Sequence, residues 1–434
     1  MLLILSLFCL RSVAIMGSIE RYNSLDGISD TVEVTVVATQ SIPEQSDFGS
    51  CTVKVNNSLY LKKNTKISLV TKGVQTLNIG DRLSATVTYQ KIDGQYKLSY
   101  YSEGIYISAV AQYKYGDIKT QKGIYGLAGA VRRHINSRIL HNTDNSHILM
   151  AVLVSERAYM SERFYDTVKA SGVSHILVVS GMHLAIITIG IERILRLLFK
   201  NEILKNAVLL SFVLFMCILC GMSMSVTRAG IVYLVRAIYK ILGRNSDNIH
   251  CLAFAVMTVV FIHPFALYSV VFKLSYASTF GILILPQLFN NKFEKYTAKR
   301  RILSGIAQTL YVSLSAFILT FPICVAQFGY VSLVSVLVNV LLSLPTTAML
   351  SFCLLAVVFG FIPLLEKLFF IIADMLADYF VKVVDFFGNL SFSTVELRNP
   401  QILTAILLVL YLIVYIILFK PYKFLKRGGK IADR

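Results

Sequence analysis

SGVSHILVVSGMHLAI, residues 171–186, is apolar enough for a membrane, yet it carries His175, Ser180 and His183. Buried polar groups are costly without partners, so these side chains have either structural partners or work to do. The whole chain shares the stretch's apolar character. Hydrophobic residues make up 56% of its 434 positions and charged residues only 15%, against about 25% in ordinary soluble domains. Mean hydropathy is +0.66. One water-soluble core cannot hide that much apolar surface, so the composition predicts an integral membrane protein.

Apolar segments flank the opening stretch on its C-terminal side, near 172–199, 204–222, 226–242, 249–263, 265–289, 302–328, 331–362 and 401–419. Several are imperfect. Segment 226–242 holds Arg228 and Arg236, and 265–289 holds Lys273. Segment 331–362 is long and holds Asn339 and Pro345, which predicts two shorter pieces. Charged or broken helices persist in a bilayer only where protein or water covers them. The expectation is a polytopic α-helical bundle around a polar path (171–420). Residues 366–389 differ: Asp374, Asp378, Lys382 and Asp385 share one face, and Phe369, Ile372, Leu376 and Phe380 another. That pattern is an amphipathic helix rather than a span.

The N-terminal side reads otherwise. Residues 1–16 form a short apolar stretch interrupted by Arg11, read as an anchor, with a signal peptide lacking an obvious small-residue cleavage site as the alternative. Residues 25–112 contain TVEVTVVAT, SCTVKV, KISLVT, RLSATVTYQ and YKLSYYS, short β-branched runs separated by turn signals. Five such strands suit a small closed barrel of the OB type outside the bilayer. Within 118–170, Leu127, Val131, Ile135 and Ile139 recur at i+4 while Arg132, Arg133, Asn136 and Arg138 point elsewhere. This reads as an interfacial helix, with a DNA-guiding basic face as the alternative.

Net charge is +18, and residues 126–434 hold 29 Lys and Arg against 14 Asp and Glu. Basic loops at 193–205 and 290–301, with the tail 421–434, place these segments in the cytoplasm. The nearly balanced barrel then faces outside. Six of the seven cysteines sit in apolar stretches, and Cys51 has no partner outside them. The Cys217–Cys220 pair reads as helix packing rather than metal binding.

Four stretches together resemble one family: SGVSHILVVSGMHLAI (171–186), CGMSMSVTRAGIVYLVRAI (220–238), HPFALYSVVFKLSYASTFGILIL (263–285) and FPICVAQFGYVSLVSVLVNVLLSLP (321–345). In this order and spacing they look like the competence domain of the ComEC DNA-uptake proteins. The barrel ahead of them is similar to that family's extracellular OB-like module. The resemblance covers residues 25–345 and runs more weakly to 420. It implies an inner-membrane channel that admits one DNA strand during natural transformation. The partners it implies are single-stranded DNA, a cytosolic helicase-type ATPase and a membrane DNA receptor; membrane lipids follow from the apolar segments, and a homo-oligomer stays open.

Many members also carry a C-terminal metallo-β-lactamase-like nuclease. This sequence ends at Arg434 without a His-x-His-x-Asp-His cluster, so no nuclease, cofactor or metal is expected in it, and a separate nuclease joins the implied partners. No Gly-x-x-x-x-Gly-Lys-Ser/Thr loop supplies a motor. An inside-negative potential opposes each entering phosphate by about 2.3 kcal/mol per 100 mV, so the driving element is expected elsewhere.

His175 and His183 are eight apart, about 80° on an ideal helix, with Gly172 and Gly181 permitting a break. They line the path together with Ser180, or they form a buried pair satisfied by serine. Thr227 and Arg228 open a helix, where phosphate contact is sensible. Lys273, Gln327 and Asn339 also line the path or else pack helices. In the barrel, Tyr60, Tyr89, Tyr96 or Tyr101 stack bases beside Lys62, Lys63 and Lys66. Against the channel stand a transporter of another anionic polymer or lipid, and a membrane scaffold.

Overall fold

The computed structural model describes residues 2–39, 48–72, 77–94, 97–111, 119–120, 123–157, 159–242, 247–297, 301–407 and 409. Tyr96, most of segment 401–419 and the tail 421–434 lie outside them.

The chain opens with helix α1 (Leu2–Asn23). It runs past the expected anchor end at residue 16, because nothing breaks it before the turn at Ser24–Gly27. Strands β1 (Ser29–Thr39), β2 (Phe48–Asn57), β3 (Lys66–Lys72) and β4 (Asp81–Gln90) follow where the alternating pattern put them. The fifth expected strand is corrected. Lys97–Ser102 is a short helix, α2, that buries Tyr101 and Ser102. Its place in the sheet goes to β5 (Ser108–Ala111), which runs parallel to β3 and antiparallel to β4. β1 pairs with both β2 and β4, and irregularities at Glu33/Val34 and Val36/Ala38 bend it. The order β1-β2-β3-β5-β4 therefore returns to β1 and closes a barrel; β6 (Lys119–Thr120) adds to β4. Val32, Val34, Val53, Val55, Ile67, Leu69, Leu83, Val87 and Ile107 fill it. Each such burial contributes about 1.5–3 kcal/mol.

The rest is helical: α3 (Ile124–Asn142), α4 (Ser146–Val154), α5 (Glu162–Ala170), α6 (Gly181–Leu198), α7 (Glu202–Leu219), α8 (Met224–Ile241), α9 (Asn248–Ile262), a 3-10 turn (Pro264–Tyr268), α10 (Val270–Thr297) and α11 (Arg301–Phe328). Strand β7 (Tyr330–Ser332) precedes α12 (Ser335–Val358) and α13 (Pro363–Gly388), and pairs with β8 (Thr394–Glu396). α12 holds Pro345 without dividing. Packing before and after the proline holds it continuous, with Val338, Leu342, Thr346, Met349 and Leu350 buried around that position. On α13 the buried face is Glu366, Phe370, Ala373, Ala377, Phe380 and Val384.

The face reading of α3 is corrected. Arg132 and Asn136 are buried, and Leu127 is exposed. Arg132 turns inward because it donates to the Val154 and Leu219 carbonyls and to Glu156. The barrel rests on this helix. Gly80 and Gly129 each lie where a Cβ would strike backbone of the other element. Arg133 pairs with Asp81 at 3.2 Å, and Lys54 Nζ donates to the Tyr125 hydroxyl at 2.7 Å.

Among the described residues three helices are long and apolar enough to cross a membrane: Glu202–Leu219, Ala307–Phe328 and Ser335–Val358. Asn248–Ile262 and Val270–Leu285 are apolar but shorter. α6 carries Glu192, Arg193 and Arg196, and α8 carries Arg228, Arg236 and Lys240, which keeps both out of that set.

Candidate functional site

Residues 171–180 are not helical. The segment expected from 172 starts as a helix only at Gly181, so His175 and His183 do not share a helix, and the 80° relation between them is corrected. Gly172, at φ +77°, turns the chain where a Cβ would meet Ser332 and Ser335. The chain then reaches Ser180, which caps α6. His183 N–H donates to Ser180 Oγ at 3.5 Å, and Ser180 N–H donates to His183 Nδ1 at 3.1 Å. This is the reciprocal capping box with an imidazole in the usual glutamate position, and His183 is 0% exposed.

Arg228 comes to the same place from the first turns of α8. Its Nη1 donates to the Ser275 carbonyl at 3.2 Å and to Thr279 Oγ1 on α10, and its guanidinium lies 5.7 Å from the Tyr276 ring centroid. Nη2 is 2.9 Å from the point that a Cβ on Gly181 would occupy. Here a glycine at the helix start lets an arginine approach the backbone. Ser225 Oγ and Ser275 Oγ are 3.4 Å apart. His175 is exposed, and it lies beside the Asn339 side chain and the Gly172 backbone, close enough to His183 to interact electrostatically. Asn339 Nδ2 in turn donates to Ser313 Oγ on α11 at 3.0 Å.

One polar layer thus joins the 171–180 turn and the start of α6 to α8, α10, α11 and α12. It gathers His175, Ser180, His183, Arg228 and Asn339 from the sequence expectations. Thr227 turns its hydroxyl back to the Met222 carbonyl at 3.1 Å. Lys273 lies two residues from Ser275, on the other side of α10. Gln327 is exposed near the end of α11. These three stand apart from the layer. Ser275, Tyr276, Thr279 and Ser313 were missed. The signal for the first group was LSYAST (274–279), which sets Ser275, Ser278 and Thr279 at i, i+3 and i+4 in an apolar segment.

On the barrel, Tyr60, Lys62 and Lys63 are exposed in the β2–β3 loop. Lys66 is half-buried, its Nζ 3.4 Å from the Glu103 carbonyl. Burial, and then the nearby Lys54, push its amine below the usual lysine range against the pull of Glu103. Tyr89 and Tyr101 are core residues, and Tyr89 donates to Asp30 at 2.8 Å. Neither can stack on a base, which corrects their inclusion. Among the described residues no group of three or more His, Cys, Asp or Glu could hold a metal ion.

A family model described as Competence protein matches residues 152–422. The ComE operon protein 3 of Bacillus subtilis (strain 168) is 26% identical over 300 residues, an alignment covering 67% of this chain and 36% of that protein. The chain therefore spans about a third of that relative's length. No solved structure matches it.

Proposed function

The chain belongs to the competence protein family, and from that membership we propose that it forms an inner-membrane channel that imports single-stranded DNA during natural transformation. The observation that carries this reading is the polar layer. His183, Arg228 and Asn339 come from separate helices and approach one another in an otherwise apolar bundle, with the exposed His175 at their edge. A membrane protein that keeps an arginine there bears several kcal/mol of desolvation, which a conducting path for a polyanion accounts for.

In this reading the barrel is an OB-like module on the outer face. Its strand order and the parallel β3–β5 pair support that assignment. Tyr60, Lys62 and Lys63 are its DNA-contacting residues. Strand cleavage falls to a separate nuclease, delivery to a membrane receptor, and pulling to a cytosolic helicase-type ATPase. The protein itself acts as a channel and not as an enzyme.

The test is transformation of a deletion strain complemented with the parent chain, His183→Ala or Arg228→Ala. Deletion abolishes transformants, and each substitution lowers their number at unchanged membrane abundance. Undiminished uptake in the deletion strain would exclude DNA import.

A further inference from the structure

The polar layer leaves two buried N–H donors unused, one on His183 and one on Arg228. His183 Nδ1 accepts the Ser180 N–H, so a neutral ring carries its proton on Nε2. That N–H is buried and has no acceptor in hydrogen-bonding geometry; the Val178 carbonyl lies near the ring but falls short of it. Arg228 Nε–H is buried and unpartnered as well. The bonds this guanidinium makes are to neutral oxygens, those of Ser275 and Thr279.

Arginines elsewhere in the described residues that reach buried carboxylates are treated differently. Arg132 meets Glu156 at 2.9 Å and Arg138 meets Glu366 at 2.7 Å. Arg228 has no carboxylate within ion-pair distance among the described residues. Its charge sits instead against Gly181, the first residue of α6, where the helix presents its positive end. An interior cation beside a helix N-terminus, with unused N–H donors and no acid, lacks one negative charge.

We propose that Arg228, His183 and the N-terminus of α6 form a seat for one phosphodiester group, whose oxygens accept from the donors left unused by the protein. The proposal rests on the channel reading for the source of that group, a DNA strand; a lipid headgroup carries the same chemistry. Bound there, each linkage of a passing strand is held in turn by charge-assisted hydrogen bonds. A strand with an uncharged backbone finds no such hold.

The test uses the purified full chain in a maltoside detergent, with thermal unfolding read against added ligand. The ligands are a short thymidine oligonucleotide, its methylphosphonate analogue and phosphatidylglycerol. The oligonucleotide is expected to raise the unfolding temperature saturably, and the analogue is not. Arg228→Gln weakens the oligonucleotide effect by about tenfold or more, the loss of a charge-assisted bond, while Arg228→Lys keeps part of it. If R228Q does not accumulate, Gly181→Ala replaces it: the added Cβ displaces Nη2 and leaves the charge in place. Equal shifts for parent and variant, or for charged and uncharged strands, overturn the seat. Loss of uptake in R228Q cells without any oligonucleotide shift in the parent leaves the channel reading standing and removes the seat. An R228-dependent shift with phosphatidylglycerol alone keeps the seat and counts against DNA as its source.

Discussion

Arg132 shows what a buried charge needs in this protein. It is 2% exposed and reaches three acceptors, two carbonyls at 2.8 Å and Glu156 at 2.9 Å. Arg132→Met leaves that carboxylate buried without its cation and is expected to cost about 3–5 kcal/mol. A second substitution, Glu156→Met, should recover much of the loss, as read from denaturant unfolding in detergent. His147, near the start of α4, gives a pH signature. Burial pushes its imidazole below the ordinary 6.5, with Asp374 opposing. The unfolded ring takes a proton at 6.5 and the folded ring only at lower pH. Its contribution to stability is therefore complete above 6.5 and is lost as pH falls from there through the folded value. His147→Phe should flatten that part of a stability–pH curve. In the barrel, burial pushes the Cys51 thiol up to about 12. An alkylating agent should spare Cys51 in the folded protein and modify it after denaturation, as mass spectrometry of the peptide would record.

Among the elements, α3 sets where the barrel sits. Its Gly129 faces the Ile79 carbonyl so closely that no side chain fits. Backbone cannot yield as a flexible side chain does, so Gly129→Ala should loosen the barrel from α3. A flexible bismaleimide should bridge cysteines placed at Lys54 and Tyr125, whose long side chains meet at 2.7 Å and so lie too far apart at Cβ for a disulfide, and should bridge them poorly once Gly129→Ala is added. The exchange of α2 for a fifth strand has a similar lesson. Six residues of KLSYYS satisfy alternation and helical spacing almost equally, and the free edges of β3 and β4 go to Ser108–Ala111. Once that place is filled, the earlier run packs Tyr101 against Tyr106 and Phe265 instead.

For the molecule as a whole, charge predicts orientation. With basic loops retained in the cytoplasm, a cysteine at Lys62 on the barrel should react with an impermeant maleimide in intact cells. One at Lys200, in the exposed turn between α6 and α7, should react only after permeabilisation. The reverse pattern would invert the proposed direction of passage. The polar layer belongs to this scale too, because no single helix contains it.

The amino-acid sequence by itself determined the apolar bundle, the first four strands and the family, since each is written in local composition, alternation or short motifs. It also marked His175, Ser180, His183, Arg228 and Asn339 as costly residues in apolar surroundings. Which of the costly residues meet was decided only by the tertiary structure. Arg228 and Gly181 are 47 positions apart in the chain, and their contact depends on how α6 and α8 pack. A lone polar side chain reads the same whether it bonds back to a nearby carbonyl of its own segment, as Thr227 does, or completes a layer built from several. Packing alone brings distant donors together, and the balance of charge among them exists only once they have met.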